Sequence, residues 1–225
     1  MTPLPPIADA VFEARFAALR KIVRERFAAA PACHDYDHTL RVLRNAEQLA
    51  AQLPEADLRI VRLAALLHDI ARADEIAGRG KGPCHAERGA AMVPGLLTAA
   101  GWEAAWGAPV AAAVRTHRYR DGLRPATLEA EIVYDADKLD SLGAVGVGRA
   151  FLFAGREGAR LHNDAATALA SAAYSTEDTA YREYLVKLRH LPKAMLTEPG
   201  RAEARRRAAF MRRFFARLIA ETGVD

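Results

Sequence analysis

Seven histidines stand in the chain: His34, His38, His68, His85, His117, His162 and His190. The first five lie between residues 34 and 117, and two are followed at once by aspartate, as His34-Asp35 and His68-Asp69. Neutral imidazole and carboxylate are the ligands that borderline divalent cations take. The second doublet closes the run Ile60-Val61-Arg62-Leu63-Ala64-Ala65-Leu66-Leu67, which reads as a buried helix. A histidine and a carboxylate at the inner end of such a helix each carry a desolvation cost unless they are hydrogen-bonded or hold a cation. A second switch from apolar to ionic runs through Glu131-Ile132-Val133-Tyr134-Asp135-Ala136-Asp137-Lys138-Leu139-Asp140. Asp137 follows Val133 by one helical turn and shares its inward face. Asp135 and Asp140 are read as ion-pair partners of nearby arginines. His162 and His190 fit neither pattern and are read as surface residues.

Helices must position these groups. Apolar residues recur at helical spacing over 11–27, 40–53, 58–70, 86–100, 109–117, 127–139, 174–188 and 201–219. No stretch alternates with a period of two, and no Asn-Gly hairpin signal occurs. Breaks fall at Pro31, Pro54, residues 78–83, 101–109, 121–125 and 155–163, and Thr127 is an N-cap candidate after Pro125. The expectation is an all-α chain forming one compact domain over 1–225. Its His-Asp helix lies at the centre and C-terminal helices over 174–222 pack on it.

Composition narrows the function. Hydrophobic residues at 51% and charged residues at 27% exclude a disordered chain. No apolar run reaches the ~18 residues a membrane span needs, and the start lacks a signal-peptide pattern. With two cysteines and no disulfide framework, a cytoplasmic protein is expected. Net charge is +4, and only five of the 32 basic residues are lysine. Most arginines read as solvated helix surface; the dense cluster Arg205-Arg206-Arg207, Arg212 and Arg213 is where a nucleic acid would bind if one did. Three motifs are set aside. Gly143-Ala144-Val145-Gly146-Val147-Gly148 follows a helix, whereas a dinucleotide loop follows a strand. Gly80-Lys81-Gly82 lacks the phosphate-loop spacing, and Cys33 and Cys84 lack zinc-site spacing, so they read as structural.

Taken in order, the motifs resemble a family, the HD-domain metal-dependent phosphohydrolases. His34-Asp35-Tyr36-Asp37-His38-Thr39-Leu40-Arg41-Val42 is similar to its opening element, and Leu66-Leu67-His68-Asp69-Ile70 carries the naming doublet. Residues 135–140 followed by Gly143-Ala144-Val145-Gly146 resemble a small, largely uncharacterised bacterial subgroup. The likeness covers roughly residues 30–155. It implies that His38, His68, Asp69 and Asp137 bind one cation, and that His85 and His117 supply a second. Asp69 would bridge ions about 3.5–4 Å apart. His34 and Asp35 would support or cap the site, and Asp35 and Asp37 also read as helix-start carboxylates. Imidazole-rich ligation favours manganese, iron, cobalt, nickel or zinc over magnesium.

The resemblance implies hydrolysis of a phosphate ester or anhydride of a small molecule, a nucleotide by preference, through metal-activated water. Asp69, Arg41 and Lys138 are the catalytic candidates; Arg41, Arg72, Arg118, Arg120 and Lys138 are the substrate-binding ones, with Arg115 beside them. Arg72 stands where some nucleotidase members carry a catalytic glutamate, and Asp74 or Glu75 are its nearest acidic substitutes. Residues 77–83 form a candidate lid. Two alternatives stay open: a di-iron oxygenase of the same family, and a non-catalytic nucleotide- or RNA-binding regulatory domain. Neither substrate identity nor oligomeric state is readable.

Overall fold

Apolar spacing of three and four residues turns into helix at nearly every stretch where it occurs. The computed structural model describes residues 4–27, 35–78, 83–118 and 123–223, and within them every regular element is helical. In order these are α1 (Asp9–Arg26), α2 (Tyr36–Ala50), α3 (Leu58–Leu67), α4 (Arg72–Ala77), α5 (His85–Ala99), α6 (Gly107–Thr116), α7 (Leu128–Leu139), α8 (Gly143–Arg156), α9 (Ala165–Ala170), α10 (Ala180–Val186) and α11 (Glu198–Thr222). Two 3-10 turns, Ala104–Trp106 and Leu188–Ala194, join them. No helix of the described residues is long and apolar enough to cross a membrane. By internal contacts the chain divides into two compact units, Met1–Ala136 and Asp137–Asp225, with the division inside α7.

In the first unit α3 packs against α1, α2 and α6. Asp57 caps it, its carboxylate accepting from the amides of Arg59 and Ile60 (2.9 and 3.4 Å). From Leu63 to Leu67 every residue is fully buried, as the unbroken apolar run requires. Helix α1 buries Phe12, Phe16, Leu19 and Val23. Arg62, on α3, lies over Phe12 and Phe16 and donates to Glu13 (2.5 and 3.0 Å). At the end of α1, Arg26 Nε donates to the Ile70 carbonyl (3.0 Å) and Nη2 to Asp74 (2.7 Å), bracketing the turn that follows the His-Asp doublet. Thr127 caps α7, accepting from the Ala130 amide (3.3 Å).

In the second unit α11 packs on α8 and on the second 3-10 turn, and α10 on α8 and α9. Phe215 is the hub, stacking on Tyr184 at a centroid distance of 4.5 Å and approaching Tyr181 at 5.8 Å and Phe151 at 6.4 Å. The glycine-rich segment is the opening of α8. Gly143 takes φ +73°, and a Cβ on Gly146 would meet the Ser141 carbonyl oxygen at 2.3 Å, so these glycines serve a tight turn between two helices. The helical pattern over 174–188 is realised only from Ala180. Residues before it form a turn in which Tyr174 has φ 62° and its amide donates to Asp178 (2.7 Å). Helix α11 starts earlier than the apolar pattern, because Thr197 caps it through the Gly200 amide (3.0 Å) and Pro199 suits its first turn.

Candidate metal centre

Helices α3 and α6 each end on a histidine. His68 follows Leu67 and His117 follows Thr116, and both rings fold back onto their own helix. His68 Nδ1 donates to the Ala65 carbonyl (2.8 Å) and His117 Nδ1 to the Val114 carbonyl (2.7 Å). A carbonyl only accepts, so each ring keeps its proton on Nδ1. Nε2 is left with a lone pair, which is the form a cation needs.

Asp69, 4% exposed, lies among four histidines that are more deeply buried still. Its Oδ1 is 2.9 Å from His85 Nε2 and 3.5 Å from His117 Nε2. Its Oδ2 is 3.7 Å from His38 Nε2 and 3.8 Å from His68 Nε2. Within each histidine pair the Nε2 atoms are 3.2 Å apart. Nitrogens held about 2.1 Å from one cation at 90–110° lie about 3.0–3.4 Å apart, so each pair suits a shared ion. One carboxylate therefore turns one oxygen to each pair. Asp69, His85 and His117 alone already form a buried three-residue group able to hold a metal ion.

His38 is placed by the start of α2, where the Asp35 carboxylate accepts from its amide (2.9 Å), so Asp35 is the helix cap. His34 lies outside the described residues. Asp137 stands in the last turn of α7, directly after Ala136, whose carbonyl accepts from Asn45 Nδ2 (3.1 Å). Its half-exposed carboxylate takes Lys138 Nζ at 2.9 Å. Asp140 pairs with Arg149 (2.6 Å), and Asp135 is buried.

The arginines separate into two groups. Arg41 is half-buried on α2, three residues past His38 and on the same face. Arg72 and Arg118, expected at the substrate, turn instead to Glu75. Arg118 Nη1 donates to Glu75 Oε1 (3.2 Å) and Arg72 Nη1 pairs with Glu75 Oε2. Both Nη1 atoms lie 3.1 Å from His85 Nδ1, on the edge of that ring away from Asp69. Glu75 Oε2 is 2.8 Å from the same Nδ1. Burial alone would push the Glu75 carboxyl up. The hydrogen bond from His85 and the positive charge of Arg72 and Arg118 outweigh burial and hold it well below the usual carboxylate range. Asp74, the other acidic substitute, is engaged by Arg26. Arg115 is exposed and 3.9 Å from Glu87. Arg120 and most of the candidate lid, residues 79–82, lie outside the described residues, as does Cys33; Cys84 is a free thiol. The part played by Glu75 was missed in the sequence, since it stands ten positions before His85 and on a different helix.

The HD domain model matches residues 35–142. YpgQ of Bacillus subtilis (strain 168), an uncharacterised protein, is 33% identical over 210 residues, covering 85% of this chain and 86% of that protein. The chain belongs to the HD-domain family. A predicted HD superfamily hydrolase from an uncultured Thermotogales bacterium is 32% identical, with a TM-score of 0.65 over 91% of each chain. The crystal structure of YpgQ in complex with ADP is 27% identical, with a TM-score of 0.72 over 94% of this chain and 96% of that one. The all-helical HD fold is thus shared with a predicted hydrolase of the superfamily.

Proposed function

We propose that this HD-domain protein is a metal-dependent phosphohydrolase that cleaves a phosphate ester or anhydride of a small molecule, a nucleotide by preference. The observation that carries the reading is the Asp69 carboxylate, with Oδ1 toward His85 and His117 and Oδ2 toward His38 and His68. That arrangement would let one carboxylate serve both histidine pairs, as a two-metal phosphoryl site requires. His38, His68 and Asp69 would hold the first ion, with Asp137 added by family resemblance; Asp69, His85 and His117 would hold the second. Four imidazoles favour manganese, iron, cobalt, nickel or zinc over magnesium. Such ions, when bound, polarise phosphoryl oxygens and acidify water.

The chain's own residues do the rest. Arg41 supplies a planar fork that matches phosphate oxygens, and Lys138 supplies a compact positive charge; both offset the negative charge that develops on the transferred group. Burial of the histidines excludes bulk water from the ligand atoms. That YpgQ binds ADP supports a nucleotide-sized phosphorylated substrate for this chain.

The test is metal analysis of the protein as isolated, followed by a screen of nucleotides and sugar phosphates with manganese, cobalt or nickel. Phosphate and pyrophosphate release are the readouts. One or two equivalents of transition metal with phosphate or pyrophosphate release is the expected result. A metal-free protein that no added cation activates overturns the reading. Full metal occupancy with oxygen consumption and no hydrolysis replaces it with the oxygenase alternative.

A further inference from the structure

Among the described residues His85 has no local anchor of the kind His68 and His117 use. It is the first residue of α5, so no earlier turn of its own helix offers a carbonyl three residues back. Its orientation comes from α4. Glu75 Oε2 lies 2.8 Å from His85 Nδ1, and Glu75 Oε1 accepts from the His85 amide at 3.4 Å. Glu75 is itself gripped by Arg72 and Arg118. These groups all crowd the Nδ1 edge of the ring, while Nε2 faces Asp69 Oδ1 at 2.9 Å.

A neutral imidazole carries one proton, and here the two placements compete. With the proton on Nδ1, the ring donates to Glu75 and Nε2 is free to ligate. With the proton on Nε2, the ring donates to Asp69, and Nδ1 accepts from the guanidinium of Arg72 or Arg118, each 3.1 Å away. Among the described residues only the carboxylate of Glu75 favours the first arrangement, because Asp69 and the two arginines favour the second.

We propose that Glu75 is a positioning residue for the cation site of Asp69, His85 and His117, fixing the proton of His85 on Nδ1, with Arg72 and Arg118 holding Glu75 in place instead of meeting substrate. The inference rests on the metal-dependent reading above. It explains why two arginines converge on one carboxylate at the back of a ligand, away from the donor atoms. It also gives a function to a glutamate that stands three residues from the position where some nucleotidases of the family carry a catalytic one.

Titration of the metal-free full chain with Mn2+ tests it, with heat of binding giving affinity and electron paramagnetic resonance separating coupled from isolated ions. Wild type should take up two ions and show the spin-coupled signal. Glu75→Ala should bind the second ion about 10- to 100-fold more weakly, show the isolated-ion spectrum at two equivalents, and keep first-ion affinity. Glu75→Gln, which keeps the shape and one acceptor, should fall between the two, and it stands in if Glu75→Ala fails to fold. Arg72→Ala and Arg118→Ala should weaken the second ion by a smaller factor and leave KM at saturating Mn2+ unchanged. Wild type that binds no cation sinks the proposed function. Wild type that binds one or two, with unchanged affinities in both Glu75 variants, sinks this inference alone. A raised KM with unaltered Mn2+ affinity in the arginine variants returns Arg72 and Arg118 to the substrate.

Discussion

His68 and His117 reach Asp69 by one route and His85 by another. The first two are held by carbonyls of their own helices, at 2.8 and 2.7 Å, and the third by a carboxylate in a different helix, at 2.8 Å. The distances barely differ, but the dependence does. A backbone anchor is lost only if its helix unwinds, whereas a side-chain anchor is lost by one substitution. The site therefore joins two fixed ligands to one whose hold depends on further residues.

Removing the group both routes share has the largest effect. Asp69→Ala should lower hydrolysis by about 10^3-fold or more and weaken both ions, measured by single-turnover kinetics beside metal analysis. Retention of two tightly bound ions would show that the carboxylate does not bridge. Taking the routes apart comes next: His117→Ala should keep one Mn2+ and His38→Ala should keep the other, so that neither shows spin coupling. Arg41→Ala tests the chemistry beside the first pair, and a 10- to 1,000-fold loss in kcat/KM with full metal occupancy is expected. Chelation is milder. At 100-fold excess over Kd an ion stabilises the fold by about 2.7 kcal/mol, so its removal should lower Tm by roughly 5–10 °C in calorimetry.

Two controls should alter stability and leave the difference between the routes untouched. Gly146→Ala forces a Cβ against the Ser141 carbonyl and should cost about 1–3 kcal/mol in denaturant melts. Arg62→Ala combined with Glu13→Ala should give the smallest term, a coupling of about 0.2–1 kcal/mol. Arg62 holds the Glu13 carboxyl below its ordinary 4.5. That coupling is therefore present above pH 4.5 and fades as pH falls through the lowered value. A coupling that persists at pH 2 would mean the pair acts through packing.

Much of this was legible in advance because it is local. The apolar run of α3 and its terminal His-Asp, the Thr127 cap and the Asp140–Arg149 pair all follow from residues near one another in sequence. Helix α8 was not read as a helix, since Gly143, Gly146 and Gly148 lower its propensity and only close packing against Ser141 accounts for Gly146. Glu75 was noticed as an acidic substitute, yet its pairing with His85 and two arginines needs the fold of residues 72–118. The direction of Arg72 was unreadable for the same reason: helical spacing places it near His68, and only tertiary structure turns it to the back of His85.

The bracket that Arg26 makes across Ile70 and Asp74 bears on where this domain can be cut. Helix α1 lies wholly before the matched stretch 35–142, yet its last turn clamps the backbone one residue beyond Asp69, and its Phe12, Phe16, Leu19 and Val23 belong to the core. A fragment trimmed to the recognisable motif would carry every proposed ligand and still lack one wall of their support. The boundary of recognition and the boundary of the first unit's core are different places in this chain, for the core already begins in α1, which starts at Asp9.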